Sequence, residues 1–299
     1  MIHLQNDQLS LCVSEHGAEM QSLSCRGVEY LWDGDPKYWT DRAPTMFPYV
    51  ARLTNDSYLL DGKPYSMSIH GFALSSEFSV AGRTENSVTL LLTDSEETRR
   101  QYPFLFAFSA RYALEKNTLA ITYRVENRSK RTMPFGLGGH PGFRVPFAEG
   151  TEYSDYFLKF SVPCHPDRVG FTPEVFLSGT DAPFPLENSD TLLLRHTLFD
   201  EDAIILKNMA KSVTLRCTKA PGALTVSYPQ MGYLGLWHVP KTDAPYLCIE
   251  PWVSLPSRQG VVEELTCKSD LVHLASGGVY ENTWTITITE ESPCWMLSP

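Results

Sequence analysis

Four short segments place proton-carrying or charged side chains where the surrounding sequence breaks its own rhythm. They are "APTMFPYVARL" with Arg52, "IHGFALSSEF" with His70, "FGLGGHPGFRVP" with His140, and "CIEPW" with Glu250. A histidine has an ordinary pKa of about 6.5 and a glutamate of about 4.3, so the two supply an acid and a base for proton transfer near neutrality. Glu250 follows the apolar run "YLCI" and precedes Pro251 and Trp252. On an extended strand it shares a face with Cys248 and Trp252. A carboxyl among apolar groups is pushed above its ordinary range, toward the pKa of a general base. The competing reading is a glutamate paired with an arginine at a strand end. Glutamate is seldom buried without a partner or a task, which favours chemistry.

His140 is flanked by Gly138, Gly139, Pro141 and Gly142. Pro141 pushes His140 toward extended geometry, and the segment lacks the Lys-Ser/Thr and helix of a phosphate-cradling loop. The glycines predict a sharp turn open to close approach by a ligand. A hydrogen-bonded histidine in a tight connection is the equally weighted alternative. Taken singly, Arg52 and His70 read as a surface arginine and a capping or core histidine. His238, beside Trp237, reads as structural, and His3, His165, His196 and His273 have no supporting context.

The histidines and Glu250 lie far apart in the chain, without an HxH or HExxH pair, so their spacing leaves a metal set open but unsupported. No GxSxG elbow is present for serine hydrolysis. The seven cysteines form no CxxC pair and fit reduced thiols in a cytoplasmic protein. The formal net charge of −10 argues against nucleic acid as a partner. The N-terminus has no basic region followed by an apolar run, and no segment has the length of a membrane span.

The elements that must hold these residues are strands. Period-two alternation recurs in "SVTLLLTD", "FLFAFSARYALE", "NTLAITYRVEN", "YFLKFSV", "ALTVSYP" and "TWTITITE". "QLSLCVSE" and "AEMQSLSC" read as a hairpin about His16-Gly17, and Glu115-Lys116-Asn117 as a tight turn. Helix is expected only after Thr93 in "SEETRRQY" and near Gln259 to Leu265. With no repeat or linker, residues 1–299 read as one all-β domain, a large antiparallel two-sheet sandwich.

Taken together, "YLWDGDPKYWTDRAPTMFPYVARL", "HGFALSSEF", "GLGGHPGF", "LFDEDAIIL" and "LGLWHVPKTDAPYLCIEPW" resemble the aldose 1-epimerase (mutarotase) family, most closely its LacX-like bacterial branch. The resemblance runs in order from Tyr30 to Trp252. It implies a galactose mutarotase-like supersandwich that uses neither metal nor organic cofactor and takes a sugar as its small-molecule partner. It implies His140 as general acid, Glu250 as general base, and Arg52 and His70 as sugar-orienting residues. Asp202 in "DEDAII" matches a further sugar-binding aspartate. Sugar-phosphate relatives read "HGFAR" where this chain reads "HGFAL", which points to free aldohexoses. The alternatives are a non-catalytic carbohydrate-binding protein and a hexose-6-phosphate epimerase.

Overall fold

Alternating side chains turn this sequence into two large antiparallel sheets. A computed structural model describes residues 1–290. Along Thr118–Asn127 every second side chain is buried, and Val279–Thr289 follows the same pattern over most of its length. These two strands pair at the centre of a nine-stranded sheet that runs from the edge strand Thr191–Leu193 to the edge strand Ser79–Arg83. Threonine hydroxyls bond across its partly buried face, Thr118 to Thr287 and Thr122 to Thr283. The opposite face carries Tyr123, Trp284 and Ile286 into the core. Each large apolar side chain so buried contributes about 1.5–3 kcal/mol.

The second sheet has eight strands, and Tyr246–Trp252 is its axis. This strand pairs with Tyr233–Trp237 on one side and with the short strands Gly138–Gly139 and Gly142–Arg144 on the other. All seven of its residues are buried. The sheets meet through aromatic side chains: Phe47 stacks on Phe108 with ring centroids 4.4 Å apart, and Trp284 lies against Gly139. The two-sheet expectation holds, with a smaller four-stranded sheet formed by the N-terminal hairpins.

The expected hairpin about His16-Gly17 forms between Leu9–Val13 and Met20–Cys25. The turn at Lys116-Asn117 joins Phe106–Glu115 to Thr118–Asn127, with Lys116 in the left-handed region. One α-helix, Glu96–Gln101, forms where expected, its start fixed by a capping box between Ser95 and Thr98. The helix expected near Gln259 to Leu265 does not form. That stretch is a turn and extended chain leading into a single 3₁₀ turn, Leu265–Cys267. Two valines in a row followed by two glutamates offer no apolar helical stripe to bury. No helix among the described residues is long and apolar enough to cross a membrane.

Candidate functional site

His140, Glu250, Arg52, His70 and Asp202 all line one cavity of about 310 Å³ at the eight-stranded sheet. That volume is at the small end of ligand pockets, about 300–1,000 Å³. Glu250 stands mid-sheet opposite Gly235, where a side chain would press on its Cβ. His140 follows Gly139 directly, and its amide donates to Pro44 O.

The glycines around His140 serve packing rather than ligand approach. Gly138, Gly139 and Gly142 all lie outside the left-handed region. A Cβ at Gly139 would sit 2.6 Å from the Trp284 ring, and one at Gly142 would sit 3.0 Å from the Trp39 ring. Glycine is therefore needed because the neighbouring indoles already fill the space that a side chain would take.

The imidazole Nε2 of His140 lies 3.2 Å from Oε2 of Glu250, with the two side chains 11% and 2% exposed. The contact is close but is not aligned as a hydrogen bond. His140 Nδ1 and Glu250 Oε2 are both buried without a hydrogen-bond partner. Burial pushes Glu250 well above the ordinary carboxylate range; the Trp252 indole opposes this and the nearby Asp202 charge adds to it. Burial likewise pushes His140 well below the ordinary imidazole range, helped by His70. Both shifts favour neutral side chains, so the empty pair holds one proton between its two members.

His70 presents its ring edge-on to His140, centroids 5.4 Å apart. Its Nδ1 accepts from the Ala51 amide, which places its proton on Nε2, and burial beside Arg52 lowers its pKa to about 4. Arg52 is an exposed side chain of the lining. Asp202 precedes the strand Ile204–Lys207, and its Oδ1 accepts from the Ala203 amide.

Sequence reasoning missed the walls. Trp39, Trp237 and Trp252 line the cavity, and Trp39 lies over His140 at a ring separation of 5.0 Å. The signal was the tryptophan content of "YLWDGDPKYW" and "LGLW" beside the charged motifs. Backbone strain was also invisible: Ala51, His70, Val175 and Asp202, all lining residues, have φ values of 59°, 63°, 65° and 76°. Left-handed residues other than glycine cluster at functional sites. Leu74, read above as the position of a phosphate-binding residue, is absent from the lining and packs its carbonyl against Gly17. His238 is buried away from the cavity, where its ring bonds His196 and Val239 O.

The family model described as Aldose 1-epimerase matches residues 1–261. The chromosomal protein LacX of Lactococcus lactis is 34% identical over 263 residues, covering 85% of this chain and 88% of that protein. A galactose mutarotase related enzyme of Lactobacillus acidophilus superposes with a TM-score of 0.91 at 34% identity, covering 96% of this chain and 97% of its own. A galactose mutarotase-like protein of Lactobacillus casei superposes with a TM-score of 0.90 at 30% identity, over 97% and 100% of the two chains. The family model's match across residues 1–261, with 34% identity to LacX over 85% of this chain, shows that the chain belongs to the aldose 1-epimerase family.

Proposed function

We propose that this protein interconverts the α and β anomers of free aldohexoses, with Glu250 and His140 as its proton-transfer pair. The observation that carries this reading is the 3.2 Å contact between His140 Nε2 and Glu250 Oε2 at a pocket of monosaccharide scale. Anomer exchange needs one proton removed from the C1 hydroxyl and one delivered to the ring oxygen. With the sugar bound, the pair's one proton passes from Glu250 to His140, so that the Glu250 carboxylate takes the first and the His140 imidazolium gives the second. The ring opens, the C1–C2 bond rotates, and the transfers run backwards to close the ring on the other face. The pair holds one proton before, during and after this cycle, so no proton has to be exchanged with solvent. Each positioned group contributes about 10²–10⁴ in rate.

Arg52, His70 and Asp202 supply charge and hydrogen bonds that orient the hydroxyls, and the tryptophans supply apolar faces for the sugar's C–H groups. Arg52 is the one lysine or arginine of the lining. Arg42 is spent on Gln21 O and Arg144 on Asp33. A phosphate dianion would find a single cation facing Asp41, Asp202 and Glu250, which supports a neutral substrate.

Polarimetry with freshly dissolved α-glucose and α-galactose tests the reading. Decay to the equilibrium rotation faster than in buffer supports it. Tight sugar binding by calorimetry with no acceleration would identify a carbohydrate-binding protein instead.

A further inference from the structure

Cys248 belongs to the same strand face as Glu250, is wholly buried, and carries a free thiol. One donor atom each from His140, Cys248 and Glu250 all lie within 4.8 Å of one another. Of the atoms in this group, Glu250 Oε2 is buried without a hydrogen-bond partner. Unpaired buried polar atoms of this kind are rare and call for a ligand or a task.

The distances suit a small tetrahedral cation. Two ligands bound at about 2.1 Å to such an ion stand about 3.4 Å apart, and His140 Nε2 and Glu250 Oε2 stand at 3.2 Å. The thiol has to close by up to about 1 Å to reach the ordinary sulfur–ligand separation around zinc. One imidazole, one thiolate and one carboxylate form a donor set of intermediate softness, suited to Zn²⁺ and to its softer congener Cd²⁺. The fourth position would face the cavity.

We propose that His140, Cys248 and Glu250 form a binding site for a thiophilic divalent cation, and that the bound ion silences the pocket. Binding releases two protons to solvent, that of the Cys248 thiol and the one held by the His140–Glu250 pair, and no electrons move. The ion replaces the proton that the pair would otherwise shuttle. Affinity therefore rises with pH, because the ligands must be deprotonated. The inhibitory half of this inference rests on the anomer-exchange reading; the binding half does not.

The test uses the full chain, stripped of metal with a chelator and titrated with CdCl₂. Ultraviolet absorption from thiolate-to-cadmium charge transfer is followed beside glucose mutarotation in the same samples. Wild type should gain the band and lose turnover together, with both changes reversed by excess chelator, and Zn²⁺ should silence it equally. Cys248→Ser and Cys248→Ala, each compared with its own metal-free rate, should lose that part of the band. Both should need at least about tenfold more Cd²⁺ for half-inhibition, the low end for disturbing a metal site. Two variants guard against one failing to fold. Equal bands and equal sensitivity in wild type and variants would overturn the proposal and place the metal on other thiols, such as exposed Cys267 or Cys12 beside His3. Absence of any thiolate band in wild type would overturn it as well. If the metal-free protein shows no turnover, the anomer-exchange reading fails while the band still decides binding.

Discussion

His70 and Ala51 hold each other by two hydrogen bonds: the His70 amide donates to Ala51 O, and the Ala51 amide donates to His70 Nδ1. Both residues are in the left-handed region, so the imidazole locks a strained turn and presents Nε2–H to the cavity. His70→Ala removes the acceptor from a buried amide, which costs about 1–3 kcal/mol. It should lower the melting temperature and raise KM together. Asparagine tolerates left-handed backbone and offers an acceptor, so His70→Asn should keep more of the stability while KM still rises. Calorimetry and mutarotation kinetics on the two variants check this.

Replacing either member of the reactive pair separates chemistry from folding. Glu250→Gln and His140→Asn should each lower kcat by at least about 10²-fold, the lower end for a positioned acid or base. Glu250→Gln should melt no lower than wild type, because a neutral amide replaces a carboxyl that burial already disfavours as an ion. Polarimetry and thermal melts decide the outcome, and near-native turnover in either variant would remove it from the reaction.

The pH profile follows from a pair that must hold one proton. Turnover is lost on the acid side when the pair gains a second proton, which the depressed folded pKa of His140 opposes. It is lost on the alkaline side when the pair gives up its proton, and the Glu250 pKa is raised. The expected kcat/KM profile is a bell whose acid limb lies below the ordinary imidazole range and whose alkaline limb lies above the ordinary carboxylate range. An acid limb at or above the ordinary imidazole value of about 6.5 would contradict the one-proton pair.

A buried histidine, His238, and a half-buried one, His70, set a second pH dependence, in stability. His70 and His238 both have folded pKa values of about 4, burial being the main cause in each. Between that value and about 6.5 the unfolded chain binds more protons, so their contribution is complete above about 6.5 and is lost as pH falls toward 4. His238→Asn should flatten the fall in melting temperature between pH 6.5 and 4.5 without altering KM, since His238 lies away from the cavity. Melts across that range measure it.

Substrate choice is the remaining test. Competition between glucose and glucose 6-phosphate should show the higher kcat/KM for the free sugar, because Arg52 is the one arginine or lysine of the lining. Arg52→Ala should raise KM and lower kcat together, since orientation enters both.

The strands, the hairpins and the helix Glu96–Gln101 were legible because alternation, turn residues and a Ser-to-Thr cap are local signals. The polar corners of the pocket were legible too, since Glu250 ends an apolar run and His140 breaks a strand pattern. The purpose of the glycines was not. Gly139 makes room for Trp284, a residue of the opposite sheet, and a contact so distant in sequence leaves no local trace. For the same reason position 74, where sugar-phosphate relatives carry an arginine, read as part of the site, yet Leu74 lies outside the lining and its carbonyl packs against Gly17. The left-handed backbone at Val175 and Asp202 was equally hidden, because tertiary contacts override the preference of those side chains.

The fully buried strand Tyr246–Trp252 divides the pocket by rigidity. Amides in such a strand exchange with solvent only through large-scale opening, whereas residues in turns exchange through small local fluctuations. Glu250 should therefore exchange slowly with its strand, and the turns that carry Arg52, His70 and Asp202 should exchange faster. Warming should loosen those turns first, so that substrate affinity drifts well below the temperature at which the proton-transfer pair is lost. The pair itself disappears only when the two sheets separate.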